Sequence, residues 1–159
     1  MEIIEANLDH PEHAAAIVAM TDVYARDGMG SGAPLAADVR ARLVPGLRAH
    51  PTTLVFLAYD NGQPIGIATC FRGFSTFAAR TLINIHDLAV VPGYRGHGVG
   101  KALLAAVATK ARALGCVKLT LEVQENNRRA RRVYEGAGFA QAVCGDENGG
   151  SLFYTKPLD

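Results

Sequence analysis

Arg95-Gly96-His97-Gly98-Val99-Gly100-Lys101 sets three glycines at alternate positions directly behind the apolar stretch Ile83–Val91. The pattern reads as a strand, a tight glycine loop and then a helix. Glycine reaches positive φ without strain and lets a ligand approach the main chain closely. The loop therefore leaves backbone N–H groups uncovered at a helix N-terminus, where the helix dipole is also positive, and that combination holds an anion such as pyrophosphate. It is not a Walker loop, because no Gly-Lys-Ser/Thr closes it. It is not a dinucleotide fingerprint either, since the glycine after Gly96-His97-Gly98 arrives one residue early and the strand lies in mid-chain.

A second segment narrows the reading. Asn127-Arg128-Arg129-Ala130-Arg131-Arg132-Val133-Tyr134-Glu135-Gly136-Ala137-Gly138-Phe139 follows the order Asn-x-x-Ala-x-x-aliphatic-Tyr-x-x-x-Gly-Phe. With Leu88-Ala89-Val90-Val91-Pro92 and the Arg-x-x-Gly-x-Gly of the loop, it resembles the GCN5-related N-acetyltransferases, whose signature for acetyl-CoA has this form. The resemblance is strongest from Thr81 to Phe139.

The resemblance implies roles residue by residue. Main-chain N–H groups of Gly96, His97, Gly98, Val99, Gly100 and Lys101 would hold the pyrophosphate, with charge added by the side chains of Arg95 and Lys101. Leu88, Ala89 and Val90 would pair with the pantetheine arm through backbone, in a gap between this strand and the next. A main-chain N–H near Leu88 would stabilise the oxyanion; losing one such donor costs ~2.7–4 kcal/mol in other enzymes. Tyr134 would protonate the departing thiolate, and a phenol with pKa near 10 suits that task. Asn127 would bond the pantetheine arm or cap the helix that follows. Arg129, in the basic run Arg128–Arg132, would touch the cofactor's 3′-phosphate or form a solvated face.

The general base is read from Asn84-Ile85-His86-Asp87-Leu88. An alkylamine with pKa around 10 is only about one part in a thousand neutral at pH 7, so some group must take its proton. Strict alternation sets Asn84, His86 and Leu88 on one face and Ile85 and Asp87 on the other. Histone-type members of the family carry glutamate where this chain has Asn84, which cannot act as a base. Arylalkylamine-type members have His-x-His-x-Leu-Ala-Val, and His86 keeps the second histidine. His86 is the first choice, with an imidazole pKa near neutral. Asp87 is the second, if a bulge near Leu88 turns it inward; its other reading is a structural carboxylate that pairs or caps. The acceptor walls implied by the resemblance are Tyr24–Gly30, where Tyr24 and Asp27 could contact an amine, and Phe71-Arg72-Gly73-Phe74. His10 and His50 read as loop or helix-end residues.

The composition is that of an ordinary globular chain. One domain spans 1–159, with 49% hydrophobic residues and a formal net charge of +1. That balance argues against nucleic-acid and membrane-surface partners. No run approaches the ~20 apolar residues of a membrane span. Cys70, Cys116 and Cys144 are odd in number and have no metal-ligand spacing, which fits a reduced, cytoplasmic chain without a metal.

These residues need elements to position them. Met1–Asn7 reads as a strand, Asp9–Arg26 as a helix opened by Pro11, and Leu35–Leu47 as a second helix. Thr53–Tyr59 and Ile65–Phe74 flank the turn Asp60-Asn61-Gly62-Gln63-Pro64 and form a hairpin. Thr81–Val91 is the next strand, Gly98–Leu114 a helix stopped by Gly115, Cys116–Val123 a strand and Asn126–Ala137 a helix. Phe139–Cys144 and Ser151–Lys156 close as an antiparallel pair. The expected fold is mixed α/β (α+β): a mostly antiparallel, twisted mixed sheet of six to seven strands, splayed between the fourth and fifth, with helices on both faces.

The expected activity is transfer of an acetyl group from acetyl-CoA to a primary amine of a small molecule or peptide, by direct attack in a ternary complex. The resemblance also implies a homodimer joined through C-terminal strands. The alternatives are a non-catalytic acyl-CoA binding or sensing module on the same fold, and a nucleotide-binding regulatory domain.

Overall fold

The computed structural model describes residues 1–142 and 154–156. The elements in chain order are β1 (Glu2–Glu5), α1 (Pro11–Arg26), α2 (Ala37–Ala49), β2 (Thr53–Asp60), β3 (Gln63–Ser75), β4 (Arg80–Val90), α3 (Val99–Ala113), β5 (Leu119–Leu121) and α4 (Arg128–Glu135), with a short 3-10 turn at Pro92–Tyr94. The strands lie in the order β1-β2-β3-β4-β5. The first four are antiparallel, and β5 joins β4 in parallel.

Period-two alternation builds two cores. Phe56 and Ala58 of β2 face α3, where Leu103 and Val107 are fully buried. Val55 and Leu57 face α1, against Ile17 and Met20. Burying each such large apolar side chain contributes about 1.5–3 kcal/mol. Of the expected closing pair, Phe139–Cys144 with Ser151–Lys156, residues 139–142 and 154–156 are described and lie in no strand, which corrects the expectation there, and the remaining five, Cys144 among them, lie outside the described residues. The described sheet thus has five strands where six to seven were expected.

The fifth strand is shorter than the alternating run 116–123 suggested. Its pairing covers only Ile83↔Leu119, Asn84↔Thr120 and Ile85↔Leu121. Past Ile85, β4 continues for five residues with no β5 partner, so the two strands part there. At the same point β4 carries a bulge. Thr69 pairs with Asp87 but Cys70 pairs with Ile85, which leaves His86 as the extra residue.

The bulge replaces strict alternation, as the reading of Asp87 as base required, and lies at His86 and not near Leu88. A bulge adds one residue, so every later side chain changes face. Ile83 and Ile85 point to the α3 core, and after the bulge so does Leu88, not with Asn84 as expected; Ala89 joins the α1 core.

Candidate functional site

The glycine loop forms as its sequence requires. Gly96 and Gly98 have φ of 82° and 83°, the left-handed region that favours glycine. A Cβ at either position would meet nothing within 4 Å, so the space over the loop is open. Gly98 caps α3 and its carbonyl accepts from the Ala102 N–H. Among the described residues, the N–H groups from Gly96 to Lys101 donate to no protein acceptor. This is a ready-made cradle for an anion. His97 and Lys101 are exposed beside it, while Val99 is buried beneath. Gly100 is the point of close approach: a Cβ there would lie 3.5 Å from Val133 Cγ1, 3.9 Å from Val90 Cγ2 and 4.0 Å from Leu88 Cδ2. The N-terminus of α3 therefore meets α4 and the unpaired half of β4.

Backbone directions in that half follow from two bonds. The Val91 N–H donates to the Ile65 carbonyl on β3, and the Val90 carbonyl accepts from Arg95 Nε at 2.9 Å, on the other side. By alternation the Leu88 N–H faces the same side as the Val90 carbonyl, into the gap left by β5. The parting of the strands is thus what frees this donor.

Arg95, expected to add charge at the cofactor, pairs with a carboxylate. Its Nη2 donates to Asp27 Oδ2 at 2.6 Å, so Nε and Nη2 together tie the glycine loop to β4 and to the end of α1. Asp27 also accepts from the Met29 N–H and lies 4.0 Å from Arg129 Nη2. The Met29 N–H bond, followed by the Arg95 guanidinium, holds the Asp27 carboxyl below the usual carboxylate range despite an opposing desolvation. Asn127 Oδ1 accepts from the Ala130 N–H and caps α4.

Asp87, Tyr134 and Tyr24 of α1 lie near enough for their charges to act on one another. Burial pushes the Tyr134 phenol up to about 12, with the charges of Tyr24 and Asp87 adding to it. Burial likewise raises the Asp87 carboxyl, opposed by His86. Among the described residues Asp87 accepts no hydrogen bond. His86 is exposed on the bulge, its ring edge-to-face with Phe71 at 5.6 Å. Sequence reasoning missed Asp22 and the packing of His50, which sits at a helix end as expected. Asp22, on the buried side of α1, accepts from Arg26 Nε and the Leu35 N–H and pairs with Arg40, which fixes the α1–α2 connection. His50, the C-cap of α2, packs on Phe71 at 4.9 Å.

The Acetyltransferase (GNAT) family model matches residues 18–139. The uncharacterized N-acetyltransferase YhfO of Bacillus subtilis (strain 168) is 34% identical over 89 residues, 56% of this chain; the chain spans 60% of that relative's length. Glucosamine 6-phosphate N-acetyltransferase of Trypanosoma brucei brucei is 35% identical over 112 residues, covering 69% of this chain and 70% of the relative. The crystal structure of an aminoglycoside acetyltransferase, meta-AAC0020, from an uncultured soil metagenomic sample superposes with a TM-score of 0.76, covering 98% of this chain and 96% of the other at 16% identity, which speaks to fold alone. A cradle at the α3 N-terminus, a sheet that parts beside it and a family model that spans both lead to one conclusion: the chain belongs to the GNAT family of acetyltransferases.

Proposed function

We propose that this chain transfers an acetyl group from acetyl-CoA to a primary amine of a small molecule or peptide, by direct attack while both substrates are bound. The observation that carries the reading is the gap beyond Ile85↔Leu121, which opens beside the uncovered N–H groups of Gly96–Lys101. Those donors suit the two charges of a pyrophosphate, and the open space over Gly96 and Gly98 admits it. The amino-sugar acceptor in the Trypanosoma relative's name supports an amine as the second substrate.

Each side chain then has a task. Asp87, not the exposed His86, takes the proton from the attacking amine, because its desolvated carboxyl is the stronger base of its kind. His86 sits beside it as the group that relays that proton to solvent. The amine nitrogen bonds to the acyl carbon, and the Leu88 N–H stabilises the oxyanion. As the C–S bond breaks, Tyr134 supplies the proton to sulfur. Its high pKa keeps it protonated throughout the working range, and protonation of Asp87 removes one of the charges that raise it. Base and acid are thereby coupled: taking up a proton at Asp87 makes Tyr134 the readier donor.

Thiol release from acetyl-CoA, measured with a broad amine panel against an acceptor-free control, tests the reading. Acceptor-dependent release supports it. Tight CoA binding without release on any amine favours the sensing module instead.

A further inference from the structure

The sheet face that carries Asp87 continues outward beyond the region covered by α1. The α1 core reaches Ile67 and Ala89. One pair further along is Thr69↔Asp87, and past the bulge comes Phe71↔Asn84, on the same face. There the surface is a row of rings. His86 meets Phe71 at 5.6 Å, and Phe71 meets His50 at 4.9 Å, both with interplanar angles of 66°. His86 and His50 are exposed and Phe71 is half-buried. Gly73 follows on β3 and leaves the floor low, with only Leu82 beside it.

We infer that the strip His50–Phe71–His86 is the acceptor subsite and takes a primary amine carried on a flat aromatic arm. The inference rests on the acetyltransferase reading above and names its substrate class. An edge-to-face row is extended favourably by one more ring. An amine placed at Asp87 lies about two strand residues, roughly 7 Å, from the Phe71 position, the reach of a short alkyl linker. Asp87, which accepts no hydrogen bond among the described residues, favours as a carboxylate a cationic amine over a neutral head group.

The test compares kcat/KM at saturating acetyl-CoA for phenethylamine, ethanolamine, spermidine and glucosamine 6-phosphate. The expected result is a preference for phenethylamine over ethanolamine of about tenfold or more, the size of one well-placed ring contact. Phe71→Leu, which keeps the apolar packing, and His50→Ala each lower that ratio severalfold. Phe77→Ser, at the fully exposed tip between β3 and β4, leaves the ratio unchanged. Acetylation of ethanolamine, spermidine or the amino sugar with no aromatic preference overturns the inference and leaves the acetyltransferase reading standing, as does a ratio that Phe71→Leu does not move. Release with none of these four but with another amine of the broad panel overturns the inference alone; release with no amine of the panel overturns the acetyltransferase reading and this inference with it.

Discussion

Arg95 Nη2 lies 2.6 Å from Asp27 Oδ2, a contact that joins the glycine loop to the end of α1 across 68 residues of sequence. Both side chains are mostly covered, with 24% and 17% exposure. Replacing Asp27 with Asn leaves Arg95 without its counter-charge and loosens the Asp27–Gly30 loop. Because the pair is only partly buried, the cost is about 1–2 kcal/mol, less than for a fully buried pair. The Asp27 carboxyl is held below its unfolded value, so its contribution is complete above the ordinary carboxylate range and disappears as pH falls through the depressed value. Chemical denaturation from pH 7 down to the acid limit should show a shallower pH dependence for Asp27→Asn than for the parent.

Gly98 and Gly100 separate backbone strain from crowding. At Gly98 φ is 83° and a Cβ would meet open space, so Gly98→Ala costs about 1 kcal/mol of backbone strain and tilts the cradle. Isothermal titration should show weaker acetyl-CoA binding for Gly98→Ala, by about tenfold. Gly100→Ala places its Cβ in ordinary contact with Val133, 3.5 Å away, and its melting temperature should not fall.

Tyr134→Phe removes the hydroxyl proposed to protonate the thiolate while keeping the ring that packs near Phe139. Turnover should drop about a hundredfold, within the range for general-acid catalysis, with acetyl-CoA affinity little changed. Since the phenol is pushed up to about 12, the parent enzyme should show no alkaline loss of kcat from this group below about pH 10. A kcat profile of both proteins checks both points.

Asp87→Asn should give a more stable and less active protein. Its folded-state pKa is raised by burial, so ionisation costs stability, which declines as pH climbs from the unfolded carboxylate value through the raised one. Asparagine carries no such charge. Thermal melts at neutral pH should place the variant above the parent, while kcat falls and the acidic limb of the rate profile vanishes. A surviving limb would assign the base to His86.

Local features were legible in the sequence. The cradle is a short run whose glycines meet their own conformational needs, and α3 and its stop at Gly115 follow from periodicity and a positive φ of 68°. Features made by distant partners were not. Nothing in Asn84–Leu88 marks His86 as the extra residue of a bulge, because the shift is set by its pairing with Thr69 and Cys70. The identity of the inward-turned carboxylate depends on that shift. The Arg95–Asp27 pair could not be read from Arg95 alone because its partner lies on another element, and nothing in the sequence singles out Asp22, whose three partners lie on α1, α2 and the loop between them. The capping of α4 by Asn127 was one of two readings of a residue type suited to both.

The most direct test of the central claim is an initial-velocity study that varies acetyl-CoA and an accepted amine together, with intact-mass analysis of the protein incubated with acetyl-CoA alone. Direct attack with both substrates bound predicts intersecting double-reciprocal lines, acceptor-dependent CoA release and no acetyl adduct on the protein. Parallel lines with a covalent acetyl adduct would contradict it, since they require an acyl-enzyme step that Asp87, Leu88 and Tyr134 are not arranged to perform.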